Sequence, residues 1–359
     1  MMRRWIAVLG ALAALSTGCS ARTAAASPPC QVGTVPAAGE VTYLDGARLL
    51  AVGPDGQDRR CLGDHVDAAP HWGQRADAGV AGSTRLVSAG RVASTGFAPA
   101  DHVSLSPADT SLVAVTPDGR LLKRPAAGGP AEDIAVIDRY DAAIYHPSGK
   151  AMVVVGQGEG ENGGGGYGIY LADTNGAVQL TLAAAETSRH IESLAWTDDG
   201  HLVFAARHAD RWDLHSLDLA TGTIATLAST PAADQPITNV VTSPFAGGGI
   251  AWQEGACGPG QVPATKMRIA GQLVALPPAL GTAVPVGWLP DATLVLLQRP
   301  APCGGVKGEA TKARSAGDVY TVRGSTVTKI ASGAVDATVR VAHPTPPPLP
   351  TSIPSDAPI

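Results

Sequence analysis

One motif recurs along this chain: an apolar strand, a turn carrying Pro, Asp or Gly, then a second apolar strand. The clearest copies are residues 142–155, 192–206 and 284–297, with weaker copies at 102–115 and 239–252. Anchored on the proline of Tyr145-His146-Pro147, equivalent positions are Pro107, Pro147, Asp198, Pro244 and Pro290, at spacings of 40, 51, 46 and 46 residues. A second hairpin follows the first, as at 168–183 and 212–228, and Asn175-Gly176 marks one such reversal. Two hairpins in each interval make a four-stranded unit. Such a sheet alone cannot bury both faces, so the units must pack on one another around an axis. A sandwich fits poorly, because the similar units are too many. The fold class is therefore all-β, a β-propeller of seven four-stranded blades, or six if residues 70–97 are an irregular insertion.

The two ends of the repeat are complementary. Residues 337–344 repeat the first-strand pattern, but no partner strands follow, whereas residues 40–62 supply strands around a Pro54-Asp55-Gly56 turn with no first strand. The C-terminal strand is expected to complete the N-terminal blade, which leaves no open sheet edge. The Pro/Ser-Asp-Gly turns between apolar strands, followed by hairpins such as Asp173-Thr174-Asn175-Gly176, resemble the TolB-type, WD40-like propeller repeat over roughly residues 40–343. The resemblance implies a fold and almost nothing about function. The separate N-terminal α/β domain of TolB has no counterpart here.

Ahead of the repeat stands an export signal. Arg3 and Arg4 precede the apolar run Ile6 to Leu15, which is too short for a permanent membrane anchor. Leu15-Ser16-Thr17-Gly18-Cys19 then resembles the bacterial lipobox. The resemblance implies a signal peptide at 1–18, a lipid such as palmitate on Cys19, and a membrane-anchored location on the extracytoplasmic side. Residues 19–38 read as a tether, 39–343 as the propeller, and 344–359 as a Pro-rich tail with almost no packing side chains.

The five cysteines are Cys19, Cys30, Cys61, Cys257 and Cys303. Outside the cytoplasm, four of them can form two disulfides once Cys19 carries a lipid. Cys257 lies 13 residues after Pro244 and Cys303 lies 13 after Pro290, so both occupy the same loop of neighbouring blades. That favours Cys257–Cys303 and leaves Cys30–Cys61, although four cysteines allow three pairings.

Composition narrows the partners. The formal charge of −5 becomes −7 when Arg3 and Arg4 leave with the signal, and no basic patch is present, so nucleic acid is an improbable partner. Long insertions at 157–168, 255–265 and 299–317 all follow second strands and should share one face. Long loops on a rigid scaffold are where binding usually lives. The first expectation is a monomeric, non-enzymatic lipoprotein that offers this face to a protein or an envelope glycan, with no cofactor.

The alternative is a metal-assisted, lactonase-like hydrolase with its site in the central channel. Asp101, Asp141 and Glu192 stand six residues before their anchors in three consecutive repeats, where carboxylates could share a calcium ion. His102, Arg139 and His190 lie nearby and would complete a polar funnel. No Gly-x-Ser-x-Gly or His-Glu-x-x-His sequence is present.

Overall fold

The computed structural model describes residues 35–64, 66, 68–72, 78–81, 85–88, 91–97, 100, 102–108, 110–134, 137, 139–158, 167–175, 178–185, 190–197, 200–243, 245, 249–257, 261–300 and 315–341. The described chain is almost entirely β-strand. It opens with β1 (Val41–Asp45), β2 (Arg48–Val52) and β3 (Arg60–Gly63). The first four-stranded sheet holds β4 (Pro70–Trp72), β5 (Ala78–Ala81), β6 (Arg85–Ser88) and β7 (Arg91–Ser94). The second holds β8 (His102–Leu105), β9 (Ser111–Val115), β10 (Leu121–Pro125) and β11 (Glu132–Asp133). The third holds β12 (Arg139–Tyr145), β13 (Ala151–Gln157), β14 (Tyr167–Asp173) and β15 (Val178–Ala185). The fourth holds β16 (His190–Trp196), β17 (His201–Arg207), β18 (Trp212–Asp218) and β19 (Ile224–Ser229). The fifth holds β20 (Ile237–Thr242), β21 (Gly249–Glu254), β22 (Ala264–Ile269) and β23 (Gln272–Val274). Last come β24 (Val284–Trp288), β25 (Leu294–Gln298), β26 (Gly317–Arg323) and β27 (Thr326–Val339). Within every sheet the chain runs up and down between antiparallel neighbours.

The fold is an all-β propeller, with one correction to the expected blade count. Among the described residues five separate four-stranded blades are present, not seven and not six. The remaining strands form a single seven-stranded sheet in the order β24-β25-β26-β27-β1-β2-β3. The cause is the fourteen-residue strand β27. Its first half pairs with β26 and its second half with β1, from Asp45 opposite Ala334 to Val41 opposite Val339. Gly333 marks the change of partner: its φ of 79° lies in the left-handed region, and the β26 register shifts across it. One uninterrupted strand thus hydrogen-bonds two groups of strands together.

The core lies between sheets. Strand β17 illustrates why, because it is apolar on both faces. Leu202, Phe204 and Ala206 pack on Val153, Val155, Ile169 and Leu171 of the third sheet. The alternate residues Val203 and Ala205 pack on Ile237 and Trp252 of the fifth. A strand buried on both faces reads as a continuous apolar run rather than an alternation. The same arrangement joins the second sheet to the third and the first to the second. Even the seven-stranded sheet packs on itself, with Val41, Tyr43, Leu50 and Val52 against Leu289, Val295, Leu297 and Val319.

Cys61 and Cys257 are both disulfide-bonded. Cys19, Cys30 and Cys303 lie outside the described residues, as do the signal and tail segments. No helix among the described residues is long and apolar enough to cross a membrane.

Candidate functional site

The first strands β4, β8, β12, β16 and β20 and the end of β27 come together around shared cavities. Several first strands carry a bulge near their start: across Asp141 in β12, Ser193 and Leu194 in β16, Asn239 and Val240 in β20, and Val286 in β24. Ser193 and Asn239 take the left-handed conformation there, with φ of 56° and 51°. A bulge adds one residue and re-aims the side chains beyond it.

Beyond the bulges the strands end on large side chains. Leu105, Tyr145, Trp196, Thr242 and Trp288 all stand two residues before their anchors, so the repeat places them at one height. Two adjoining cavities open beside them. One, of about 300 Å³, is lined by Ser104, Ile144, Leu194 and Thr242. The other, of about 270 Å³, is lined by His71, Trp72, Leu105, Pro107, Pro147 and Thr338. Tyr145, Trp196 and Val341 line both.

The polar edges of these rings are turned into the scaffold. The Tyr145 hydroxyl shares a 2.9 Å hydrogen bond with Ser111 Oγ. Burial pushes its pKa up, against the opposing effect of that bond. Trp196 Nε1 donates to the Tyr145 carbonyl at 3.0 Å, and Thr242 Oγ1 donates to the Trp196 carbonyl. The buried His146 ring meets Trp196 edge-on at 4.9 Å, with its Nδ1 accepting from the Ser148 amide at 3.1 Å. Trp72 Nε1 donates to Thr42 Oγ1 at 3.0 Å. Two first strands on, in β24, the fully buried Trp288 makes a similar contact by donating to the Val241 carbonyl at 3.3 Å. What remains for a ligand is ring face and aliphatic wall, held rigidly.

Of the residues expected to form a polar funnel, those described stand toward the opposite ends of the same strands. Asp101 lies outside the described residues, and His190 and Glu192 are described only as backbone of β16. Asp141 is ion-paired with Arg139, Nε to Oδ1 at 3.5 Å. His102 is held neutral: burial, and then the charge of His71, bring its pKa down to about 4, against a hydrogen bond to the Ala143 backbone. Its Nδ1 is buried without a hydrogen-bond partner among the described residues. Among those residues the one group that could hold a metal ion lies elsewhere, at His208, Asp213 and His215.

The ring of large residues was not among the sequence candidates, although its signal was present. Reading the position two before each anchor returns Tyr145, Trp196 and Trp288 together. The carboxylate series drew attention to the strand starts instead.

No protein-family model matches the chain, and no curated protein matches it. Many solved structures do. An oligogalacturonate lyase from Vibrio parahaemolyticus is similar at a TM-score of 0.50 and 10% identity, over 72% of this chain and 88% of that one. A structure described as putative TolB from Agrobacterium tumefaciens gives 0.47 and 15%, over 67% and 84%. The β-propeller domain of the Trilobed protease from Pyrococcus furiosus gives 0.45 and 8%, over 82% and 85%. At such identities a likeness speaks to the fold alone.

Proposed function

We propose that this protein is a non-enzymatic binding propeller, held by a lipid on Cys19 outside the cytoplasmic membrane, that takes a protein or an envelope glycan at the aromatic end of its channel. The observation that carries the reading is the wall built by Trp72, Tyr145 and Trp196. Its indole and phenol edges bond to the scaffold, so the rings are pre-set and offer apolar faces. Rigid aromatic surface at low entropic cost is what binding sites favour. A cavity of about 300 Å³ suits one inserted side chain or sugar ring. The second strands β13, β21 and β25 end at the other face, which would serve a second contact.

The seven-stranded sheet is read as the element that closes the ring. The halves of the seven-stranded sheet pack face to face like separate blades, and β24 lies against β27 while β27 lies against β4. On this reading the second half of β27 is the first strand of the blade continued by β1, β2 and β3, which closes the ring. Pairing Cys61 with Cys30, and Cys257 with Cys303, would leave Cys19 as the cysteine available for lipid.

Two experiments test the proposal. Solubilised envelope passed over the immobilised, purified protein should give up a retained protein or glycan. The Tyr145→Ala/Trp196→Ala variant should lose most of that retention while keeping its far-UV circular dichroism. Retention at the wild-type level would place the site elsewhere. Separately, Cys19→Ala should move the protein from the membrane fraction to the soluble fraction, and a variant that stays membrane-bound would refute the anchor.

A further inference from the structure

At the reversal between β17 and β18 of the fourth blade, three side chains with nitrogen and oxygen donors meet. Asp213 and His215 are two apart on β18, so both point to the same face of the sheet. The chain reverses just before them, with the His208 amide donating to the Arg211 carbonyl at 2.8 Å, and this turn brings His208 over that face. The three donor atoms lie within 4.8 Å of one another. His208 Nε2 is 3.0 Å from Asp213 Oδ2, and His215 Nε2 is 4.0 Å from the same oxygen.

We infer that His208, Asp213 and His215 form a binding site for one divalent transition-metal ion, with zinc as the reference ion. Two imidazoles and a carboxylate are a donor set suited to zinc and its first-row neighbours. Ligand bonds of about 2.0–2.2 Å place tetrahedral donors about 3.4 Å apart. The two observed separations of 3.0 Å and 4.0 Å fall on either side of that value. At 4.0 Å the His215–Asp213 contact is too long for a hydrogen bond, and small ring rotations would let an ion bridge it.

The surroundings orient the donors. His215 stands directly between its cross-strand neighbours Phe204 and Thr226. Phe204 packs on the imidazole at 5.3 Å, and Thr226 Oγ1 lies 3.3 Å from Nδ1, which turns Nε2 toward Asp213. Metal-binding histidines commonly use the second ring nitrogen in this way. The side chains of Asp213 and His215 are 4% and 6% exposed and that of His208 is 13% exposed, which leaves an approach from the loop side.

Arg211 argues on the other side, because its Nε sits 3.1 Å from both Asp213 oxygens. It is 45% exposed, so it can withdraw or keep Oδ1 while the ion takes Oδ2. A competing cation predicts that removing Arg211 tightens metal binding.

The test is calorimetric titration of the untagged chain lacking residues 1–18, freed of metal by chelator, with zinc sulfate at neutral pH. One zinc per chain is expected. His208→Gln and His215→Gln should each weaken binding about a hundred-fold, and Thr226→Val about ten-fold as an orienting residue. Arg211→Gln should bind more tightly than wild type. His208 lies in a turn, so its variant should keep the wild-type circular dichroism. Cobalt(II) bound in place of zinc should give ligand-field absorption that His208→Gln loses. No saturable binding, or equal zinc affinity in wild type and both histidine variants, would overturn the site. Weaker binding by Arg211→Gln would overturn the placement of the ion on Asp213.

Discussion

A chain ending at Gly333 should lose cooperative folding, while a chain ending at His343 should keep the wild-type urea midpoint. The shorter chain lacks the half of β27 that pairs with β1, and with it the backbone partners of Val41, Thr42, Tyr43, Leu44 and Asp45. Those pairs at about 1 kcal/mol per net hydrogen bond sum to roughly 5 kcal/mol, which is comparable with the whole stability of many domains at about 5–15 kcal/mol. Further losses follow from the buried side chains of Ala334 and Val339, and from Asp336, whose carboxylate accepts the Ala69 amide at 2.9 Å. The exposed edge of β1 carries Val41, Tyr43 and Leu44, an apolar template for pairing with another molecule. Size-exclusion chromatography should therefore show aggregates. Adding a peptide of residues 334–343 should restore part of the monomer peak. A wild-type midpoint for the shorter chain would mean that β27 does not hold the ends together.

Acid should destabilise the protein well before its carboxylates titrate, through His102. The unfolded imidazole takes up a proton near its ordinary 6.5, whereas the folded one resists until about 4. Between these values the unfolded state binds more protons, so stability falls as the pH is lowered through that window. The full difference of 2.5 units corresponds to as much as about 3 kcal/mol by pH 4. The causes are local: a buried ring, the charge of His71 on the neighbouring first strand, and a buried Nδ1 with no acceptor for the added proton among the described residues. His102→Gln should flatten the dependence of the urea midpoint between pH 6.5 and 4. A variant whose midpoint falls as steeply as wild type would assign the acid sensitivity to other groups.

Much of the fold was legible because its repeat is carried by local chemistry. The Pro-Ser-Gly and Pro-Asp turns punctuate apolar runs, and strands β8, β9, β12, β13, β16, β17, β20, β21, β24 and β25 fall where the repeat put them. Even the degenerate stretch from His71-Trp72 onward forms a four-stranded sheet. The count of separate blades was not legible. It depends on whether β27 breaks at Gly333 or runs on, and that is decided by partners almost three hundred residues away in sequence.

The sites divide in the same way. Asp141 was picked for its position, yet its partner is the neighbouring Arg139 rather than a distant carboxylate. The aromatic ring of Tyr145, Trp196 and Trp288 was available in the register and passed over for charge. The sequence does not single out His208, Asp213 and His215, because only the reversal at 208–211 folds the first onto the face of the other two.

By itself the sequence determined a repeating all-β chain whose strands are apolar on both faces, since turn residues and strand periodicity act within a few positions. It also determined the height at which each large channel residue stands, because spacing from the turn is set by the pleat. Only the tertiary structure decided that β27 serves two groups of strands and that the indole edges bond to neighbouring strands. It alone brought two imidazoles and a carboxylate together. Each of these depends on which surfaces meet across the ring, and burial across that ring costs and returns free energy that no local stretch of chain can express.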